Sequence, residues 1–249
     1  YQRVGEEYLQ QPNLALATLD SYENGFRIGG VKMILDGSPQ GKTAYLTKPY
    51  EVQPDGQNEV YRGYPIMPAA SVDALFSKFI SSGVPIIAHA NGDAAADLFL
   101  DALNKSLELA SDNVNNANPD HRSVMIHAQT VREDQLDRIV KMGVIPSYFA
   151  AHTCYWGDWH RDSVLGLKRG SRISPTASSL DRGIKFTLHN DAPIVPPEVL
   201  RLIWAASNRL TRTGKVLGPD QTISIEESLK AVTVNAAYQY FEEDLKGTI

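Results

Sequence analysis

VPIIAHANGDAAADLFLDALNKSLELA, residues 84–110, carries the reading that decides the fold. Its first six residues are a short apolar run ending in a histidine, the composition of a buried strand. After a brief turn, residues 93–110 set Leu98, Leu103 and Leu107 at helical spacing, which predicts a strongly amphipathic helix. A strand that feeds a helix in this way is one βα unit, and a chain built from such units makes a parallel sheet.

The same alternation continues on both sides. Upstream, VKMILD (31–36) is a strand, and 37–69 is a Gly/Pro/polar segment too long for a plain connection, which predicts a functional loop. A helix is expected at about 70–82, with Val72, Leu75, Phe76 and Phe79 inward and Gly83 ending it. Downstream come the strand SVMIHA (123–128) and a helix over 131–143 with Gly143 as its C-cap. The strand VIPSYF (144–149) and a polar, aromatic loop to about residue 170 follow. The rest reads as a short helix over 175–182, the strand KFTLHND (185–191), a helix over 197–211 and one or two helices over 224–240. These are five βα units with no internal repeat. Periodicity alone leaves two architectures open, a doubly wound open sheet and part of a closed barrel. The glycines of GGVKMILDG precede their strand, so no Gly-rich phosphate loop follows a strand and nucleotide binding is disfavoured.

Composition narrows the function. The 249 residues are 43% hydrophobic and 21% charged, ordinary for a globular protein. A net charge of −5 argues against nucleic acid as a partner, since phosphate binding needs a basic face. The apolar runs fall well short of the roughly 20 residues of a membrane-spanning helix, so no membrane is expected. Cys154 is the only cysteine, which excludes an intrachain disulfide and favours a reducing, cytoplasmic compartment. The expected partner is a small-molecule substrate, with a homo-oligomer left open. The chain opens at Tyr1 and stops just after the turn-like DLKGTI, so it is expected to be an internal portion of a longer protein.

The polar residues favour the barrel. His89 ends VPIIAH, His127 ends SVMIH and Asp191 lies just past KFTLH, while Lys32 sits inside VKMILD with Asp36 at that strand's end. In a (β/α)8 barrel the C-terminal ends of the strands form one mouth, where active sites are built. Imidazoles and a carboxylate are the ligands of catalytic zinc sites. One strand-end histidine is more often a hydrogen-bonded structural residue, and a strand lysine can simply guard an edge. Two successive histidines with a later aspartate shift the balance to a site.

The ordered motifs VKMILDG, AHANGD, IHAQ and HNDAP, with Pro49–Tyr50 and the late AVTVNAAYQYF, closely resemble the amidohydrolase superfamily. Within it they are most similar to amidohydrolase family 3, the YtcJ-like and N-substituted formamide deformylase-like proteins. The resemblance runs over nearly the whole chain. It implies a (β/α)8 TIM-type barrel of which residues 1–249 hold strands four to eight, with the upstream strands and a small β-sandwich absent. It implies a divalent metal, zinc foremost, as one or two ions. Lys32, open to carboxylation, with His89, His127 and Asp191, would be the metal ligands, and Asp191 would also shuttle the proton of the attacking water. The implied reaction is hydrolysis of an amide, formamide or cyclic amide bond. The chain departs from the family twice: it has no HxH pair, which the family places on strand one, and it reads HNDAP where GSDAP is usual. The fragment alone is therefore expected to be inactive.

Other residues near the strand ends are substrate-side candidates. His152 matches a family histidine placed beside the metal centre, and it is expected to bind substrate or stabilise charge on the carbonyl oxygen. Trp156 and Asp158, in the YWGDWH run with Trp159 and His160, are expected to wall a pocket, and His189 adds a polar group at the mouth. Asp36, Asp93 and Gln129 are expected behind the ligands as orienting partners, with helix capping as the alternative for Asp93. His121 reads as a surface turn residue. Two other functions stay open: a catalytically altered or regulatory member of the same barrel family, and a barrel lyase or isomerase with Lys32 as base or Schiff-base nucleophile.

Overall fold

The computed structural model describes residue 22 and residues 24–111 and 120–248; Tyr1 and Ile249, on which the reading of the chain ends falls, lie outside them. Five parallel strands form one sheet: β1 (Val31–Ile34), β2 (Ile86–Ala90), β3 (Val124–His127), β4 (Ile145–Tyr148) and β5 (Thr187–Leu188). Their spatial order is their chain order, so each new strand is laid down beside the last. A doubly wound sheet reverses direction at a switch point, whereas a barrel keeps going. Strand order therefore resolves what periodicity could not, in favour of the barrel type of winding.

Helices cover one face of this sheet. In chain order they are α1 (Ala69–Ser81), α2 (Asp93–Ser111), α3 (Glu133–Met142), α4 (Ala151–Trp159), α5 (Gly166–Gly170), α6 (Thr176–Leu180), α7 (Val199–Asn208), α8 (Ile225–Val232) and α9 (Val234–Gln239). The register aligns Met33 with Ala88, Ala88 with Met125, and His127 with Tyr148. Alternation turns Val31, Met33, Ile86, Ala88, Ala90 and Met125 toward the helices, where all are buried. Against them lie Phe76, Phe79, Phe99, Leu103, Leu136 and Ile139, each at 0% exposure. Phe76 and Phe99 meet edge to face with centroids 5.2 Å apart. Burying each such side chain is worth roughly 1.5–3 kcal/mol, so this face carries most of the fold's stability.

Local signals explain where elements stop. Gly143 ends α3 at φ +67, the left-handed conformation that glycine adopts without a Cβ penalty. Ser224 accepts a hydrogen bond from the backbone N–H of Glu227 and starts α8. In α2 the buried stripe is Ala95, Ala96, Phe99, Leu100 and Leu103, with Leu107 packed at its margin, while Leu98 is only half-buried. Among the described residues no helix is long and apolar enough to cross a membrane.

Two expectations are corrected. The stretch from 150 to 170 is helical: α4 runs into a π-helical turn, His160–Val164, and then α5. The π turn is closed by the Leu165 N–H donating to the His160 carbonyl at 2.8 Å. This segment is buried through Ala151, Thr153, Gly157, His160 and Ser163 together with Val164 and Leu165 at the π turn, so its inward face shows no repeating apolar stripe in the sequence. His121 is no surface residue either: it is 6% exposed, accepts from Ser123 N–H at Nδ1 and bonds the Met142 carbonyl through Nε2. It ties the start of β3 to the end of α3.

The opposite face of the sheet differs in kind. Aligned across it lie Ile34, His89, Ile126, Ser147 and Thr187, with Lys32 and Ile87 one step below. Lys32, Ile87, His89 and Ile126 are half-buried and Ile34 is 42% exposed. This is the inner, mouth-facing side.

Candidate metal centre

The register places Ile126 beside His89 on the inner face and would turn His127 outward with Met125. At His127 the chain departs from strand geometry: φ is +71, and Ala128 follows at +45. A non-glycine residue rarely holds that conformation, and such strain gathers at functional sites. It swings the buried His127 ring to the mouth, 4.6 Å between centroids from His89 and 4.9 Å from His189. Asp191 is held the same way, at φ +54, directly past β5.

One atom each from His127, His189 and Asp191 lie within 4.8 Å of one another, a spacing that can hold a metal ion. His189 Nε2 is 3.2 Å from His127 Nδ1, and its Nδ1 is 3.0 Å from Ser147 Oγ. The Thr187 hydroxyl joins this chain, 2.8 Å from Ser147 Oγ and 2.9 Å from Gln239 Oε1. Lys32 shares the site: burial lowers its pKa, and Asp191 opposes that shift. His89 Nε2 contacts the Gly37 carbonyl at 2.9 Å, which leaves Nδ1 as the donor atom when Nε2 carries the proton.

The electrostatics suit a cation. Burial lowers the pKa of His89, and pushes those of His127 and His152 well down, with neighbouring histidines adding to the effect in the latter two. Burial takes His189 down to about 3. These imidazoles are neutral at physiological pH and present lone pairs. Neutral imidazoles with a carboxylate fit a divalent cation, so the residues present pass the test of donor chemistry.

A second layer fixes the mouth. Asp36, 1% exposed, accepts backbone N–H bonds from Tyr45 (2.9 Å), Asn91 (2.9 Å) and Gly92 (2.8 Å), and lies 3.5 Å from His89 Nε2. Burial pushes its pKa up to about 7 against those three bonds. It thereby pins the 37–45 loop to the turn after β2. Gly92 is required in that turn because a Cβ there would collide with the Tyr45 carbonyl.

The remaining candidates divide. His152, at the start of α4, is 2% exposed; its ring lies 6.0 Å from His127 and between Phe149 (4.4 Å) and Trp156 (5.7 Å), and its Nδ1 has no partner. Trp156 therefore walls His152. The Asp158 carboxylate faces elsewhere, toward Arg161 and the Thr213 hydroxyl. The Asp93 carboxylate receives the Thr47 N–H and hydroxyl and Arg132 rather than an imidazole. Gln129 bonds His160 Nε2 through its side-chain amide nitrogen at 3.0 Å, and its backbone carbonyl accepts from the Ser174 N–H. Trp159 donates to the Gln40 carbonyl and so packs down the long loop. His189, expected on the substrate side, also lies close enough to His127 and Asp191 to offer a ligand atom. Thr187, His189 and Asp191 are spaced two apart, the period of one strand face, but the strand ends at Leu188 and Asp191 reaches the site at a positive φ. Ser147 and Asn91 were not singled out, and nothing in their local sequence marks them.

The amidohydrolase family model matches residues 4–249. The N-substituted formamide deformylase of Arthrobacter pascens is 26% identical over 171 residues, covering 67% of this chain and 30% of that protein. The YtcJ amidohydrolase of Bacillus subtilis strain 168 is 25% identical over 227 residues, covering 89% and 40%. A solved metal-dependent hydrolase of Pyrococcus horikoshii superposes with a TM-score of 0.79 at 25% identity, covering 99% of this chain and 46% of that one. The chain thus spans less than half the length of each of these relatives.

Proposed function

The chain belongs to the amidohydrolase family, and from that premise we propose that it forms the later part of a barrel hydrolase that cleaves a carbon–nitrogen bond with water. The substrate class is an amide, formamide or cyclic amide. The observation that carries the reading is the convergence of His127, His189 and Asp191, two of them held at positive φ at or just past the ends of their strands. The named activities of the formamide deformylase and amidohydrolase relatives support the bond type.

In this reading β1–β5 are strands four to eight, and an HxH pair on the first strand completes the ligand set. His89, His127 and Asp191 would hold the metal, with Lys32 beside them; burial lowers the Lys32 pKa, and carboxylation of its amine would add an oxygen ligand. A bound divalent cation, zinc foremost, supplies Lewis acidity and brings the acidity of water toward neutral pH. Asp191 takes the water proton and returns it to the leaving nitrogen, so that one C–N bond breaks as one C–O bond forms. His152 binds the carbonyl oxygen side of the substrate, with Trp156 as the adjoining wall, and the Ser147–Thr187 chain sets the orientation of His189.

Metal analysis and kinetics of the full-length protein test this together. Purified protein should carry about one or two equivalents of zinc or a like metal, and Asp191→Asn should lower kcat by roughly 10²–10⁴-fold while the metal largely stays. A trace metal content, or unchanged turnover in the variant, would sink the reading.

A further inference from the structure

A second cavity, of about 300 Å³, lies outside the mouth. It is framed by the long loop at Leu46–Lys48, the turn after β3 at Thr130–Glu133, and α5 with the residues just beyond it. None of Lys32, His89, His127, His152, His189 and Asp191 lines it; Asp93 does. Its volume is at the lower end of small-molecule sites, which run from roughly 300 to 1,000 Å³.

The cavity wall is cationic in a protein of net charge −5. Five of its lining residues are basic and two acidic. The acids are already matched: Asp93 meets Arg132, and Glu133 meets Arg172. That leaves Lys48, Lys168 and Arg169 with no carboxylate within ion-pair distance among the described residues. Arg169 is fixed in place, donating to the carbonyls of Leu165 (2.8 Å), Pro49 (2.7 Å) and Lys48 (3.3 Å). Those bonds use part of its guanidinium donors and hold the loop and α5 at a set separation, while Asp93 and Glu51 offset part of its charge. Arg172 Nη2 also has no hydrogen-bond partner among the described residues. The floor is apolar: Leu46, Val131 and Leu165 are each no more than 2% exposed.

Two exposed lysines without a carboxylate partner, beside a fixed arginine and above an apolar floor, select a ligand with two ends. We infer that this cavity is a binding site for a small organic anion, with a carboxylate or phosphate head toward Lys48, Lys168 and Arg169 and an apolar body against Leu46, Val131 and Leu165. A neutral ligand of the same shape leaves the cations unpaired, and a bare anion leaves the floor uncovered.

Calorimetric titration of the full-length protein, with its metal retained and again after chelation, tests the site. The probes are benzoate and phenyl phosphate, against benzyl alcohol and inorganic phosphate. Both organic anions should bind in either metal state, at least tenfold more tightly than the neutral or the bare ion. The double reversal Lys48→Glu, Lys168→Glu should weaken them at least tenfold, and the milder pair Lys48→Ser, Lys168→Ser should weaken them by less, both with unchanged melting temperature. Binding that disappears with the metal places the anion at the mouth and overturns the inference. Equal binding of inorganic phosphate marks an adventitious ion only, and indifference to both lysine pairs overturns it too.

Discussion

The two faces of the sheet are made from the same strands and serve opposite ends. On the helix side, Met33, Ala88 and Met125 sit in one dry layer with Phe76, Phe79 and Phe99, all at 0–2% exposure. On the mouth side, the same strands present Lys32, His89, Ser147 and Thr187, polar and in part accessible, with their backbone strained where it leaves the sheet. Stability is concentrated on the first face and chemistry on the second. Because neighbouring residues alternate between them, a single position in the sequence separates the two roles.

Three substitutions sharpen that division. Phe99→Ala, on the dry face, should cost about 3–5 kcal/mol by urea unfolding, through lost transfer energy and the cavity left behind, while any protein that stays folded keeps its metal affinity. A loss under about 1 kcal/mol would show that the helix side is looser than its burial implies. His189→Gly, on the mouth face, should reverse the pattern. It restores the glycine of the family's more usual motif and should weaken metal binding by about tenfold or more, the scale on which even partners behind the ligands act, with little change in unfolding midpoint. Unchanged affinity would leave His189 on the substrate side alone. Ile34→Thr should be the quietest, within about 0.5 kcal/mol of the parent, since Ile34 is already 42% exposed on the mouth side. A large loss there would mean that this face is covered in the full-length protein.

The sequence was most informative where one rule acted alone. The strands and helices of β2–α2 and β3–α3 were legible because apolar periodicity and glycine stops coincide there. His89 was legible for the same reason, since it simply ends a strand. His127 was singled out as a strand-end residue, yet strict alternation puts it on the helix face, and its positive φ brings the ring to the mouth. The α4–π–α5 segment was illegible because it is buried mostly by small and polar residues, with the apolar pair Val164 and Leu165 adjacent rather than at helical spacing. The roles of Asp36 and Asp93 as anchors of the long loop were also hidden, because their partners are backbone N–H groups and Thr47 at distances along the chain that no local window covers.

The π turn at His160–Val164 has a consequence for how this family member can vary. An α-helix turns about 100° per residue, and a π turn takes up one residue more than an α turn in closing its hydrogen bond. His152 lies before the turn; Lys168 and Arg169 lie after it. Loss of one residue there would leave the histidine where it is and rotate the cationic wall about the helix axis. Chain length at this point, independent of any side chain, sets the phase between the mouth and its neighbouring cavity.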